Sequence, residues 1–264
     1  MLIYGVFLIQ KKNKILIIGA SGTLGKAIKK NNFFKKASIP SKKKLNIIFT
    51  KNIKKYLNKK RFQIIINCAA ISKVKQCEEN PKIAKKVNIL GVKKLVKCIE
   101  DCEKKNKSKT LLIHLSSDAV YPPHRGNNKE NSSLAPYNVY GKTKLESEKI
   151  VKKLDNYIVI RTRFFDKNNI KFKDAATDIF SSMIEKKELV KNIIFLINSG
   201  YKGVINVGGP KISDYNAIKK YKKKILKTTS KKILKNLRYM IATDASLNVS
   251  LFKKLKRNYE KKKF

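Results

Sequence analysis

The 264-residue sequence has no tryptophan and only two histidines, His114 and His124. Its four cysteines, Cys68, Cys77, Cys98 and Cys102, show no Cys-x-x-Cys spacing. So few soft ligands predict no metal site, and the cysteines read as reduced, partly buried thiols of a cytoplasmic protein. The apolar stretch Met1 to Ile9 is too short to span a bilayer. It also lacks the basic n-region and small-residue cleavage site of a secretory signal, so no membrane attachment is expected. Acidic residues are scarce: 18 Asp and Glu face 63 Lys and Arg, for a formal net charge of +45, and none occurs before Glu78. Arginine is scarce too, at six positions against 57 lysines. Readers of bases and phosphates favour arginine's bidentate fork. Lysine spread over every segment, beside abundant isoleucine and asparagine, reads instead as a composition bias that fills solvated faces. No specific nucleic-acid function is expected, only non-specific attraction to polyanions at low salt.

What the sequence does have is a glycine turn. Ile15 to Ile18 form an apolar run that enters Gly19-Ala20-Ser21-Gly22-Thr23-Leu24-Gly25. A run of that kind is a strand buried on both faces. Gly19 permits the tight exit, Gly22 lets the backbone approach a pyrophosphate, and Gly25 allows the next helix to pack close to the sheet. Gly19, Ser21, Gly22, Thr23, Leu24 and Gly25 are therefore candidate cofactor ligands, with the helix N-terminus near Thr23 facing the phosphates. Dinucleotide folds usually place an acid about 20 residues on, to hold the adenosine ribose. Here Ser41-Lys42-Lys43-Lys44 stands in its place. Ser41 and Lys42 suit a 2′-phosphate, so NADP is expected, with NAD the alternative.

Further strands are predicted at 33–40, 62–67, 110–115 and 157–161, with helices at 51–60, from Pro81 to about Glu103, and from Val139 to Leu154. Small residues after the 62–67 strand, Cys68, Ala69 and Ala70, leave room for a cofactor lying across the sheet. Strand–helix alternation predicts an α/β fold, a doubly wound parallel Rossmann sheet. Residues 12–165 form its dinucleotide-binding domain. Residues 166–264 are read as a small C-terminal substrate cap, partly interleaved with the first domain. Within the cap, 174–198 reads as mostly helical, 203–209 as a short strand closed by glycines, and 213–228 and 230–236 as basic helices.

The chemistry is expected at Tyr140-Gly141-Lys142-Thr143-Lys144. Tyr140 and Lys144, four apart, share one face of a helix. A nearby ammonium favours the phenolate and makes the tyrosine a usable acid or base near neutral pH. Three other Tyr–Lys pairs have this spacing, Tyr56/Lys60, Tyr215/Lys219 and Tyr259/Lys263. Only Tyr140 opens a helix after a proline-bearing loop and follows a strand-end hydroxyl pair, Ser116-Ser117. Ser117 can then hold the reacting oxygen while Tyr140 exchanges its proton.

Gly19 to Gly25, Asn67-Cys68-Ala69-Ala70, Asn88, Ser116-Ser117-Asp118 and Tyr140-x-x-x-Lys144, in that order, resemble the extended short-chain dehydrogenase/reductase family. Pro136 to Glu146 and Val159-Ile160-Arg161-Thr162 are similar to its dTDP-4-dehydrorhamnose reductase branch. The resemblance implies that Tyr140 is the proton donor, that Lys144 is its partner and a ribose ligand, and that Ser117 holds the carbonyl oxygen. It adds Asn88 to the cofactor-binding set. It also implies hydride transfer to a keto sugar carried on a nucleoside diphosphate, and a homodimer. A D-Q-x-G-x-P-T-like stretch that shapes the sugar site in that branch is missing, and Phe164 to Thr177 is short. Two other readings stand beside this one: a sugar-nucleotide epimerase or dehydratase, and a non-catalytic NAD(P)-binding regulatory protein. The dehydratase reading needs an added acid pair, and no Glu follows Asp118.

Overall fold

The apolar runs at 15–18, 64–67, 111–115 and 157–161 become buried strands. The computed structural model describes residues 14–235 and 237–262, so Met1 to Ile9 lies outside the described residues. Strands β1 (Ile15–Ile18), β2 (Ile64–Asn67), β3 (Leu111–Leu115) and β4 (Tyr157–Arg161) lie side by side, all parallel. The sheet is completed by β9 (Gly203–Asn206), paired with β4 from Ile158–Gly203 to Arg161–Asn206. It thus takes its fifth strand from beyond residue 165.

Period-two alternation divides the core between the two faces. Ile15 and Ile17 point into a cluster with Leu24, Ile28, Ile193 and Phe252. That face carries α1 (Thr23–Lys29), α7 (Lys186–Ser199) and α10 (Ser250–Lys261). Leu16 and Ile18 point the other way, among Ile53, Leu95, Ile99 and Val151. That face carries α2 (Thr50–Lys59), α5 (Val92–Asn106) and α6 (Val139–Val151).

The strand expected at 33–40 is reduced to a single bridge. Asn32–Phe34 is a 3₁₀ turn, and only Ser38 pairs with β1, donating to Ile15 O at 2.8 Å and accepting from Ile17 N at 2.9 Å. The next ladder bond would need an N–H at residue 40, which is proline. The helix expected from Pro81 is also interrupted. After α3 (Val74–Glu79), α4 (Pro81–Lys85) passes through a π-helical turn, Lys86–Gly91, into α5.

Nor is 174–198 mostly helical: α7 begins only at Lys186, after three short strands. β6 (Asp174–Ala176) pairs with β11 (Leu226–Thr228). β7 (Phe180–Ser181) lies between β10 (Ile212–Ser213) and β12 (Asp244–Ala245). β8 (Ile184–Glu185) pairs with β5 (Phe164–Phe165). These strands, with α8 (Asp214–Lys219) and α9 (Ser230–Lys235), build a cap over the carboxyl ends of the main sheet. Residues 226–228, expected to be helical, are a strand because their partners, 174–176, lie 52 residues away in the chain.

Candidate active site

Between the sheet ends and the cap lies a cavity of about 830 Å³. Chain direction explains its place. From β1 the chain runs outward to Ser38, then returns to the other side of β1 to form β2. Ligands bind open α/β sheets at such a switch point. Gly22, Thr23, Leu24 and Gly25 line one end, with Cys68 and Ala70 across from them.

The glycine turn fits a dinucleotide. Gly19 has φ +82°, and a Cβ there would lie 2.5 Å from Ala69 N; a Cβ on Gly25 would lie 2.5 Å from Ala20 Cα. The turn is thus folded tight against the β2 exit, while no side chain caps the start of α1. Ser21 is exposed on this turn, and Ala69 donates its N–H to Asn67 Oδ1. Ser41 and Lys42 are exposed in the turn that follows the Ser38 bridge, where Ser41 O accepts from Lys44 N at 3.0 Å. Neither lines the cavity.

Asn88 is set back from the cavity and fully hydrogen-bonded. Its Oδ1 accepts from Ile71 N at 2.8 Å, and its Nδ2 donates to Ile71 O and to Thr143 Oγ1 at 3.0 and 2.9 Å. It fastens the loop after β2 to α6. Asn88 sits within the π-helical turn Lys86–Gly91.

The structure brings Ser117, Tyr140 and Lys144 to the same cavity. Ser117 ends the β3 segment and caps a 3₁₀ turn, Asp118–Val120, accepting from Ala119 N at 3.2 Å and donating to Asp118 Oδ1 at 2.9 Å. Asn138 caps α6 through Gly141 N at 2.8 Å, which places Tyr140 in the first turn. Gly141 packs flat on Ala119: a Cβ there would stand 2.2 Å from Ala119 O. That contact seats the Tyr140 hydroxyl in hydrogen-bond reach of Ser117.

Lys144 does not act on Tyr140 as expected. Its Nζ lies 3.1 Å from His114 Nε2, on β3. Burial pushes the Tyr140 phenol above its ordinary value, and the Ser117 hydrogen bond only partly offsets this. Burial also pulls the Lys144 amine down to about 8, against the opposing pull of Glu148 and Cys68.

The partnerships of several groups around the site had no local signal in the sequence. Asp118, 2% exposed, is ion-paired with Arg163 at 2.6 Å. Burial, reinforced by Asp118, pushes the Tyr137 phenol up to about 12, and Tyr137 is hydrogen-bonded to Arg163. Asp214, on α8, closes this group from the cap side, its carboxyl raised by burial. Behind α6, Arg161 Nη2 donates to Glu148 Oε2 at 2.7 Å, with both side chains buried. Arg161 also donates to Tyr121 Oη at 2.8 Å, and Tyr121 donates to Asn206 Oδ1 at 2.9 Å. This buried chain of bonds joins α6, β4 and β9. Among the described residues no group of His, Cys, Asp and Glu is placed to hold a metal ion, and no helix is long and apolar enough to cross a membrane.

A parallel sheet with a glycine turn at its switch point, and a Ser–Tyr–Lys set over the same crevice, define an extended short-chain dehydrogenase/reductase. The RmlD substrate binding domain family matches residues 13–189, two thirds of the sequence, and the chain belongs to that family. It is 32% identical over 153 residues to methionine adenosyltransferase 2 subunit beta of Xenopus tropicalis, covering 52% of this chain and 42% of that protein. It is 34% identical over 113 residues to dTDP-4-dehydrorhamnose reductase of Escherichia coli, covering 40% and 35%. The chain thus matches less than half the length of these curated relatives. In fold it is similar to dTDP-4-dehydrorhamnose reductase from Bacillus anthracis, solved in complex with NADP. That likeness has a TM-score of 0.80 at 20% identity, over 95% of this chain and 99% of the other. A hypothetical dTDP-4-dehydrorhamnose reductase from Sulfolobus tokodaii gives 0.79 at 25% identity, over 91% and 94%.

Proposed function

We propose that the protein is an NADP-dependent reductase of a keto group on a nucleotide-linked sugar, working as a homodimer. The observation that carries this reading is the meeting of Ser117 and Tyr140 in one cavity with the glycine turn. Gly19 to Gly25 would seat the pyrophosphate, with Cys68, Ala69 and Ala70 beneath the nicotinamide half and Ser41 and Lys42 near the 2′-phosphate. Bound NADPH would supply the hydride. Tyr140 Oη would give its proton to the carbonyl oxygen as charge develops there, and Ser117 Oγ would hold that oxygen in place. A phenol with a raised pKa keeps its proton through substrate binding, as a proton donor must. Lys144, freed from His114, would orient the ribose. The cap, with Arg163, Tyr137 and Asp214, would enclose the sugar.

A panel of nucleotide-linked keto sugars, followed by NADPH oxidation, tests the reading. At least one should be turned over, and Tyr140→Phe should lower kcat by about 10²–10⁴ with NADPH affinity preserved. Full activity in that variant would remove Tyr140 as the acid.

A second reading is a dinucleotide-binding regulatory subunit, favoured by the match to a protein named as a subunit of methionine adenosyltransferase. Tight NADPH binding with no turnover across the panel would select it.

A further inference from the structure

Lys144 is 2% exposed, and the one protein atom within hydrogen-bond reach of its Nζ, among the described residues, is His114 Nε2. Whether that nitrogen accepts or donates is decided on the far side of the ring. Ala69 N donates to Asn67 Oδ1 at 3.1 Å, so Asn67 turns its Nδ2 toward His114 Nδ1, 3.2 Å away. A ring nitrogen that accepts carries no proton, and the neutral ring then holds its proton on Nε2. There it points to Ser147 Oγ at 3.0 Å, whose own proton goes to Lys144 O at 2.7 Å. The reverse order fails at its first link. An Asn67 amide turned to offer Oδ1 to the ring would set its NH₂ against the Ala69 N–H.

An Nε2–H directed at Ser147 offers nothing to an ammonium 3.1 Å away and opposes its charge, whereas an uncharged amine can share that proton. The charged and titratable groups around Lys144 do not supply an acceptor. Glu148, one turn along α6, is committed to Arg161 and Ser116. Cys68, beyond β2, has a thiol pushed up to about 12 by burial, hence neutral. Tyr140, one turn back, keeps its proton. His114 stays neutral because burial holds its pKa well below 6.5, and a positive charge on Lys144 would hold it lower still.

We propose that Ala69, Asn67 and His114 form a positioning relay. It fixes the His114 tautomer, disfavours the charged form of the Lys144 amine, and, at alkaline pH where that amine is free of its proton, makes dinucleotide binding draw one in once ribose oxygens replace the imidazole as partners. The proton uptake rests on the dinucleotide reading above; the tautomer does not. Burial of Lys144 acts in the same direction.

Nitrogen-15 NMR of the protein without ligand reads the relay directly. His114 should show Nε2–H and a bare Nδ1 from pH 6 to 9. In Asn67→Asp, a carboxylate accepts from both Ala69 N and the ring, so the proton should move to Nδ1. An Nδ1–H ring or an imidazolium in the wild type overturns the relay. Titration calorimetry with NADPH at pH 9, in two buffers of different ionisation enthalpy, reads the uptake. With the amine at about 8, about 0.9 of a proton per NADPH is expected. Uptake should fall toward zero in Lys144→Met and drop markedly in Asn67→Asp. Binding without uptake, or uptake that survives Lys144→Met, also overturns it. If NADPH does not bind, the dinucleotide reading fails and the NMR result alone decides the relay.

Discussion

His114 carries one of the few ionisable groups in the protein whose burial sets a clear pH window. Its folded pKa is depressed while the unfolded chain titrates at about 6.5. Below that value the unfolded state binds the extra proton, so stability is full above it and falls as pH drops. The slope approaches about 1.4 kcal/mol per pH unit for this one group. Denaturant unfolding between pH 7 and 5 should show this loss in the wild type. His114→Gln, which keeps a donor for Ser147, should show a flatter profile over the same range. Lys144 has the same sign at the other end: its amine is depressed to about 8, so stability rises with pH between 8 and about 10.5.

At the scale of elements, legibility followed locality. The strands β1 to β4 were legible because an apolar run is a local signal, and α6 because it opens directly after a proline-bearing loop. The single bridge at Ser38 was missed although Pro40, which ends it, was in plain view. The π-helical turn has no composition of its own; it carries Asn88 between Ile71 and Thr143. The meeting of Tyr140, Lys144 and Ser117 at one cavity was legible from spacing and context. The direction Lys144 takes was not, because it is set by His114 on another element. Tyr137 and Arg163 meet from separate elements, and Asp214 joins them from the cap. The contact between α6 and the Asp118–Val120 turn gives a direct test. Gly141→Ala would force Ala119 O to move from a 2.2 Å overlap. It should cost about 1–3 kcal/mol in thermal unfolding and separate Tyr140 from Ser117. Turnover should therefore fall more than NADPH affinity does.

At the scale of the whole molecule, charge is unevenly placed. Among the described residues, Lys144 and Arg163 are the only cations lining the cavity, against four acids, Asp118, Asp166, Asp174 and Asp214. The positive field belongs to the exterior and the site does not share it. Binding to duplex DNA or heparin should accordingly be sequence-blind and steeply salt-dependent. A loss of about 10³-fold or more is expected between 50 and 200 mM salt, measured by fluorescence anisotropy. The same titration should leave NADPH affinity less affected, since a partly buried site is screened less. Specific, salt-resistant nucleic-acid binding would contradict the view of lysine as a surface filler.

The last strand of the central sheet enters only after the chain has begun the cap, and Arg161 and Asn206 seal it against β4 through Tyr121. Phe252 of the final helix then returns to the same core. A gene cut at residue 165 would yield a four-stranded fragment with an open, hydrophobic edge. Exchanging the cap between relatives therefore takes more than a single crossover. Chimeras between them need at least two crossovers, one on each side of the cap's first segment.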